Sequence, residues 1–156
     1  EDIDGLRREL VDMGYLKKRK QTKGKPQKNA IPYMQFTSSD GQTIYVGKNN
    51  YQNDELTMKF AKITDLWLHI KDGPGSHVIV KLNPGEDPSD MTLIEASMLA
   101  AYYSKGKHSS NVAIDYTFRK NVKKVPNAKP GMVIYTNFKT IYVTPDENLV
   151  KRLENH

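Results

Sequence analysis

Asp65-Leu-Trp-Leu-His-Ile-Lys-Asp-Gly-Pro-Gly-Ser-His-Val-Ile-Val80 is the stretch that decides the fold. In its first half Leu66, Leu68 and Ile70 alternate with Trp67, His69 and Lys71, the period of a strand with one apolar face. Asp72-Gly-Pro-Gly75 then breaks the run with turn residues, glycine supplying positive φ and proline fixing its own φ. A second strand follows, with Val78, Val80 and Leu82 alternating against His77, Ile79 and Lys81. Folded as a hairpin, the stretch places the chain's only tryptophan, a histidine and a lysine on one face, beside a turn carrying Ser76 and His77. An aromatic plate, a switchable donor and a cation near exposed backbone amides suit a ligand that bears both phosphate and base. The same alternation also fits a structural role, with Trp67 in the core and His69 as its satisfied neighbour.

Working outward, Tyr33–Thr37 and Gln42–Val46 flank Ser-Ser-Asp-Gly and predict a second hairpin. Gly47-Lys-Asn-Asn50 predicts a turn, and Asn53 or Asp54 a cap for a short helix from Glu55 to Ala61. After the loop at 83–88, Ser89 or Asp90 caps the longest helix, expected to end near Lys105-Gly106. Its packed face is expected to carry Leu93, Ile94, Ser97, Met98, Ala101 and Tyr102. Asn111–Phe118 predicts a strand, and Met132–Tyr135 with Thr140–Val143 a last hairpin. Thr144-Pro-Asp-Glu147 is a capping box opening a closing helix with Leu149, Val150 and Leu153. Strands and helices mix without a βαβ rhythm, so residues 31–156 are expected to form one α+β domain with a largely antiparallel sheet. Ahead of it, Ile3, Leu6, Leu10 and Met13 keep coiled-coil spacing over residues 1–14, and residues 15–30 predict a flexible basic linker. The chain opens within this helical pattern and without a Met, so a piece of a longer protein is expected.

Composition narrows the chemistry. No cysteine means no disulfide, thiolate metal site or cysteine nucleophile, in keeping with a reducing compartment. No apolar run approaches the ~18 residues of a membrane span and no signal-peptide pattern is present, so no membrane insertion is expected and a cytoplasmic site is. Net charge is +6, and it is segregated. Residues 13–39 hold seven Lys or Arg and residues 116–145 six, with no acid in either segment. That distribution points to an anionic partner, nucleic acid first. The four histidines show no metal-ligand spacing, and neither a nucleophile elbow nor a phosphate-binding loop is present. No catalytic residue, metal or cofactor is therefore expected, nor an enzyme. In Asp115-Tyr-Thr-Phe-Arg-Lys-Asn-Val-Lys-Lys-Val125 an aromatic strand runs into four cations. Arg119, Lys120, Lys123 and Lys124 are expected to form the main phosphate-contacting patch, with aromatic or Arg stacking on unpaired RNA bases.

Together these blocks resemble the NFACT-R domain. Asp65-Leu-Trp-Leu-His69 with Pro74-Gly-Ser-His-Val78 resembles its signature. Gly47-Lys-Asn with Asn53-Asp54 and Thr57, Asn111-Val-Ala-Ile-Asp-Tyr-Thr117 and Lys129-Pro-Gly-Met-Val133 match its other blocks. The resemblance covers roughly residues 31–145. Full-length members are ribosome quality-control factors, also called fibronectin-binding proteins in Gram-positive bacteria. The resemblance implies that they bind the large ribosomal subunit obstructed by peptidyl-tRNA, recruit tRNA, and direct C-terminal alanine tailing of the stalled chain. This chain is then expected to be an RNA-binding module for tRNA or rRNA. Lys48, Asn49, His69, Lys71, Ser76 and His77 join the four cations above as its expected RNA-binding residues. The adhesin role implies a second expectation: fibronectin docking at the cell surface by strand addition to a sheet edge.

Overall fold

The computed structural model describes residues 31–154; the expected coiled-coil end and basic linker lie outside the described residues. Alternating segments pair as their periods require. Strands β1 (Met34–Thr37) and β2 (Thr43–Val46) form the first hairpin, with Met34 opposite Val46. Asn49 then caps α1 (Asn50–Glu55), its Oδ1 accepting from Gln52 N at 2.9 Å, and α1 widens into a π-helical turn over Leu56–Phe60. The helix thus starts earlier than the caps expected at Asn53 or Asp54. Asn49 satisfies the free first-turn amide, which leaves Asn53 to turn inward and be buried.

The central hairpin consists of β3 (Leu66–Ile70) and β4 (Val78–Val80), with Leu66 opposite Val80 and Trp67 opposite Ile79. Helix α2 (Asp90–Tyr102) follows, capped by Ser89 Oγ on Thr92 N at 3.1 Å. Next come β5 (Val112–Phe118), a 3-10 turn (Arg119–Asn121), β6 (Val122–Lys124), β7 (Val133–Tyr135), β8 (Lys139–Val143) and α3 (Glu147–Leu153). Six strands make one sheet in the order β1-β2-β4-β3-β5-β8, every neighbouring pair antiparallel, while β6 and β7 form a separate ribbon. The expected α+β class with a largely antiparallel sheet is what forms.

The two faces of the sheet bury two cores. Leu66, Leu68, Ile70, Val78 and Val80 pack with Ile44, Val46 and Ile114 against α2 and α3. Period 2 turns Trp67, Ile79 and Tyr45 to the opposite face, where they pack with Tyr33, Leu56 and Val122. The π-helical turn and the ribbon supply that second layer. Trp67 is 0% exposed, so its indole is core and not a free plate.

Two local expectations need correction. Of the face expected for α2, Ser97 and Ala101 are buried and Leu93, Met98 and Tyr102 pack against the core, whereas Ile94 is 41% exposed and Thr92, Glu95, Ala96, Leu99 and Ala100 also turn inward. Glu95 is held there by Ser39, whose amide and hydroxyl donate to its carboxylate at 2.7 and 2.5 Å. A satisfied buried acid is tolerated, but hydropathy counts it as surface, so the expected face includes Ile94 and leaves Glu95 out. The helix also stops at Tyr102, short of Lys105, where Ser104 Oγ donates to Ala101 O at 2.7 Å.

The last hairpin is not a hairpin. β7 pairs with β6, Val122 opposite Tyr135, whereas β8 pairs with β5, Ile114 opposite Ile141. Thr117 Oγ1 ties the connector down, donating toward the carbonyls of Thr136 and Asn137 at 3.0 and 3.2 Å. Asn137 takes left-handed φ 54° to swing the chain from the ribbon to the sheet edge. The closing helix is capped by Asp146, because Thr144 Oγ1 instead accepts from Asn111 N at 3.0 Å.

Candidate nucleic-acid interface

The second core opens at one corner of the sheet, where β3 ends and the β3–β4 turn begins. His77, 2% exposed, is clamped there. Its Nδ1 lies 3.1 Å from Trp67 Nε1 and 2.8 Å from Thr57 Oγ1. An indole N–H only donates, so Nδ1 carries the lone pair and the proton sits on Nε2, directed at the Gly131 carbonyl. Burial above all, and His69 second, lowers the His77 pKa to about 3, which keeps the ring neutral. Asn53 Oδ1 accepts from His77 N at 3.0 Å, and a Cβ at Gly47 would collide with that same oxygen. Gly47-Lys-Asn and Asn53 therefore belong together: the glycine makes room for the asparagine that orients the histidine segment.

His69 stacks on the Trp67 indole, ring centroids 5.8 Å apart and planes within 6°. Its Nδ1–H donates to Ile70 O at 2.6 Å. Burial lowers its pKa, while the carbonyls of Ile70 and Gly75 and the Asp115 carboxylate pull the other way. Asp115, 1% exposed, lies opposite His69 in the β3–β5 register. It accepts from Tyr135 Oη at 2.6 Å, Thr140 Oγ1 at 2.7 Å and Lys71 Nζ at 3.3 Å. Burial and Asp115 together raise the Tyr135 pKa, so the phenol keeps its proton. Lys71 Nζ also sits 4.9 Å from the Phe138 ring centroid.

Above this network lies a cleft of about 410 Å3, with Trp67, His69, His77 and Tyr135 among its lining and Lys71 and Lys129 reaching it. A wider recess of about 650 Å3 adjoins it, sharing Asn50, Asn53, Pro74 and Gly75 and adding Lys48, Lys105 and Lys107. Among the described residues no Asp or Glu lines either recess. Five lysines from four separate segments thus surround one concave, partly aromatic corner.

The candidate residues divide between places. Lys48, Asn49 and Ser76 line the wider recess, and His69, Lys71 and His77 the cleft. Within that set the Asn49 side chain caps α1, and Ser76 Oγ donates to Gly47 O at 2.6 Å. Arg119 and Lys120 are elsewhere: Arg119 N donates to Asp65 O at 2.8 Å, at the start of β3, whereas Lys71 follows its end. Six residues at about 3.3 Å each separate the two by roughly 20 Å. The Arg119 guanidinium is committed to the fold, donating to the carbonyls of Thr57 and, at 3.2 Å, Val122. Lys123 and Lys124 lie on β6, where Lys124 pairs with Asp54 at 3.1 Å. Lys105, Lys107, Lys129, Asp115 and Tyr135 were not singled out from the sequence. Asp115 and Lys129 stood within quoted blocks without a role assigned to them, and only the fold brings the five together.

The model of the NFACT protein RNA binding domain matches residues 32–137. The chain is 46% identical over 154 residues to the Rqc2 homolog RqcH of Bacillus subtilis, covering 98% of this chain and 26% of that protein. It is 29% identical over 128 residues to coiled-coil domain-containing protein 25 of Bos taurus, covering 77% of this chain and 61% of that protein. The solved C-terminal part of the fibronectin/fibrinogen-binding protein from Streptococcus suis shares the fold at TM-score 0.78 and 44% identity. That match covers 98% of this chain and 61% of the solved one. The chain spans about a quarter of the length of the RqcH relatives it matches. On its own residues and on these matches, the chain belongs to the NFACT RNA-binding domain family.

Proposed function

We propose that this chain is the RNA-binding module of a ribosome quality-control factor. It engages tRNA or the obstructed large ribosomal subunit in the cytoplasm, supporting C-terminal alanine tailing of stalled nascent chains by binding and not by chemistry of its own. The observation that carries the reading is the corner where Lys48, Lys71, Lys105, Lys107 and Lys129 surround two joined recesses, with the buried Asp115 that pairs with Lys71 lying beneath the lining and not in it. Lysines contact phosphate as point charges and release condensed counterions, so affinity depends steeply on salt. Family membership and the identity to RqcH support the same role. Among the described residues no helix is long and apolar enough to cross a membrane.

The test is the affinity of the chain for tRNA, for large ribosomal subunits and for fibronectin, side by side at two salt concentrations. Tight RNA binding that weakens by orders of magnitude between ~50 and ~200 mM salt is expected if about six phosphates are contacted. A salt-insensitive RNA affinity contradicts the reading. A fibronectin-binding module is the second reading, favoured by strand β8, which pairs on one side only within the sheet. The Streptococcus suis structure carries that binding in its name. Strand addition at β8 would be far less sensitive to salt.

A further inference from the structure

The 410 Å3 cleft sits toward the small end of the roughly 300–1,000 Å3 range of small-ligand sites. It has room for one nucleotide and not for a paired step of duplex. Its lining combines what unpaired RNA bases use: aromatic rings for one face, apolar Pro130 and Val133, and polar groups for an edge. His69 and Tyr135 are the part-exposed rings at the cleft, and burial lowers the His69 pKa, so a neutral ring there favours stacking with a base over ion pairing. Asn50 lines both recesses, is exposed, and its carboxamide makes no hydrogen bond among the described residues, so it offers a paired donor and acceptor. Lys71 and Lys129 reach the cleft from different segments, β3–β4 and β6–β7. Met132, 53% exposed, adds an adaptable apolar side chain to the same lining.

We propose that this cleft captures one unpaired nucleobase of an RNA, with Lys71 and Lys129 holding the flanking phosphates and Asn50 meeting the base edge. The proposal rests on the RNA-binding reading above and sharpens it: the module selects RNA with an extruded nucleotide over a continuous helix. The wider recess then carries the neighbouring backbone past Lys48, Lys105 and Lys107.

Three RNA stems of one sequence test it with the 156-residue chain, by anisotropy of labelled RNA. One stem is continuous, one carries a single-nucleotide bulge, and one carries an abasic residue at that bulge. The bulged stem is expected to bind roughly tenfold tighter than the continuous one, the scale of one captured base. The abasic stem, bent in the same way, loses that gain, and Asn50→Ala narrows the ratio of bulged to continuous affinity. Equal affinity for all three stems overturns the base-capture proposal and leaves RNA binding standing. An abasic stem that binds like the bulged one also overturns it, because shape and not the base is then read. No binding to any stem overturns both.

Discussion

Replacing Trp67 by Ala probes the second core directly. The indole is 0% exposed, its centroid 4.7 Å from the Tyr135 ring and 5.8 Å from His69, and its N–H donates to His77 Nδ1 at 3.1 Å. Deleting a buried aromatic of this size costs about 3–5 kcal/mol through lost burial and the cavity left behind. The hydrogen bond adds less than a full orphaned acceptor, because Thr57 Oγ1 remains 2.8 Å from the same nitrogen. Against a typical domain stability of ~5–15 kcal/mol, the variant is left marginal. Trp67→Phe separates the terms: it keeps most of the ring, loses the N–H, and is expected to cost about 1–2 kcal/mol. Urea denaturation followed by far-ultraviolet circular dichroism reads both, since the sole fluorescent indole is gone in each. If Trp67→Ala stays within ~1 kcal/mol of the parent and merely binds RNA less well, Trp67 is a stacking platform and the second core is wrongly placed.

The remaining predictions concern charge and protons. His77 has a folded pKa lowered to about 3 against about 6.5 when unfolded, so the unfolded chain binds the extra proton between those values. Its stabilising contribution is complete above pH 6.5 and is lost as pH falls, by about 1 kcal/mol between pH 7 and 5.5; a flat urea midpoint over that range contradicts the clamp. His69→Asn should weaken RNA binding while the domain stays folded, with the deficit growing only below pH 6.5 because burial lowers that pKa too; unfolding of this variant beside a folded Trp67→Ala reverses both assignments. Arg119→Gln should destabilise by about 1–3 kcal/mol, since the Thr57 carbonyl loses its charged donor, whereas Lys120→Gln leaves the urea midpoint near the parent's. Gly47→Ala should lower the thermal midpoint, because the added Cβ displaces Asn53 from the His77 amide; an unchanged midpoint shows that the loop yields freely.

The central hairpin was legible because its alternation is local: Trp67 and Ile79 share a face in the sequence pattern and face one another in the sheet. The caps at Ser89 and the first hairpin were legible for the same reason. The burial of Glu95 in α2 was not, since its partner lies 56 residues away and no window contains both. The ribbon was missed because Val133–Tyr135 has two possible strand partners at similar distance in sequence, and the choice falls to Thr117 and Trp67 packing. Charge density along the sequence and the concave lining of the fold mark different groups of cations. Four cations are crowded at 119–124, yet one supports a carbonyl and another pairs with Asp54. The lysines at 48, 71, 105, 107 and 129 are scattered in sequence and meet only when the hairpin turn, the end of α2 and the ribbon loop converge.

The most direct measurement sets two charge-matched variants side by side. One replaces Lys48, Lys105, Lys107 and Lys129 by Gln; the other replaces Lys62, Lys120, Lys123 and Lys124. Each removes four positive charges, so net charge and nonspecific attraction fall equally, and only position differs. Affinity for tRNA is measured over a salt series. The corner variant is predicted to lose most of its affinity, with the slope against log salt falling by about 0.7–0.9 for each phosphate contact removed, while the second variant stays near the parent. A corner variant that binds like the parent, beside a loss in the second, contradicts the placement of the RNA surface.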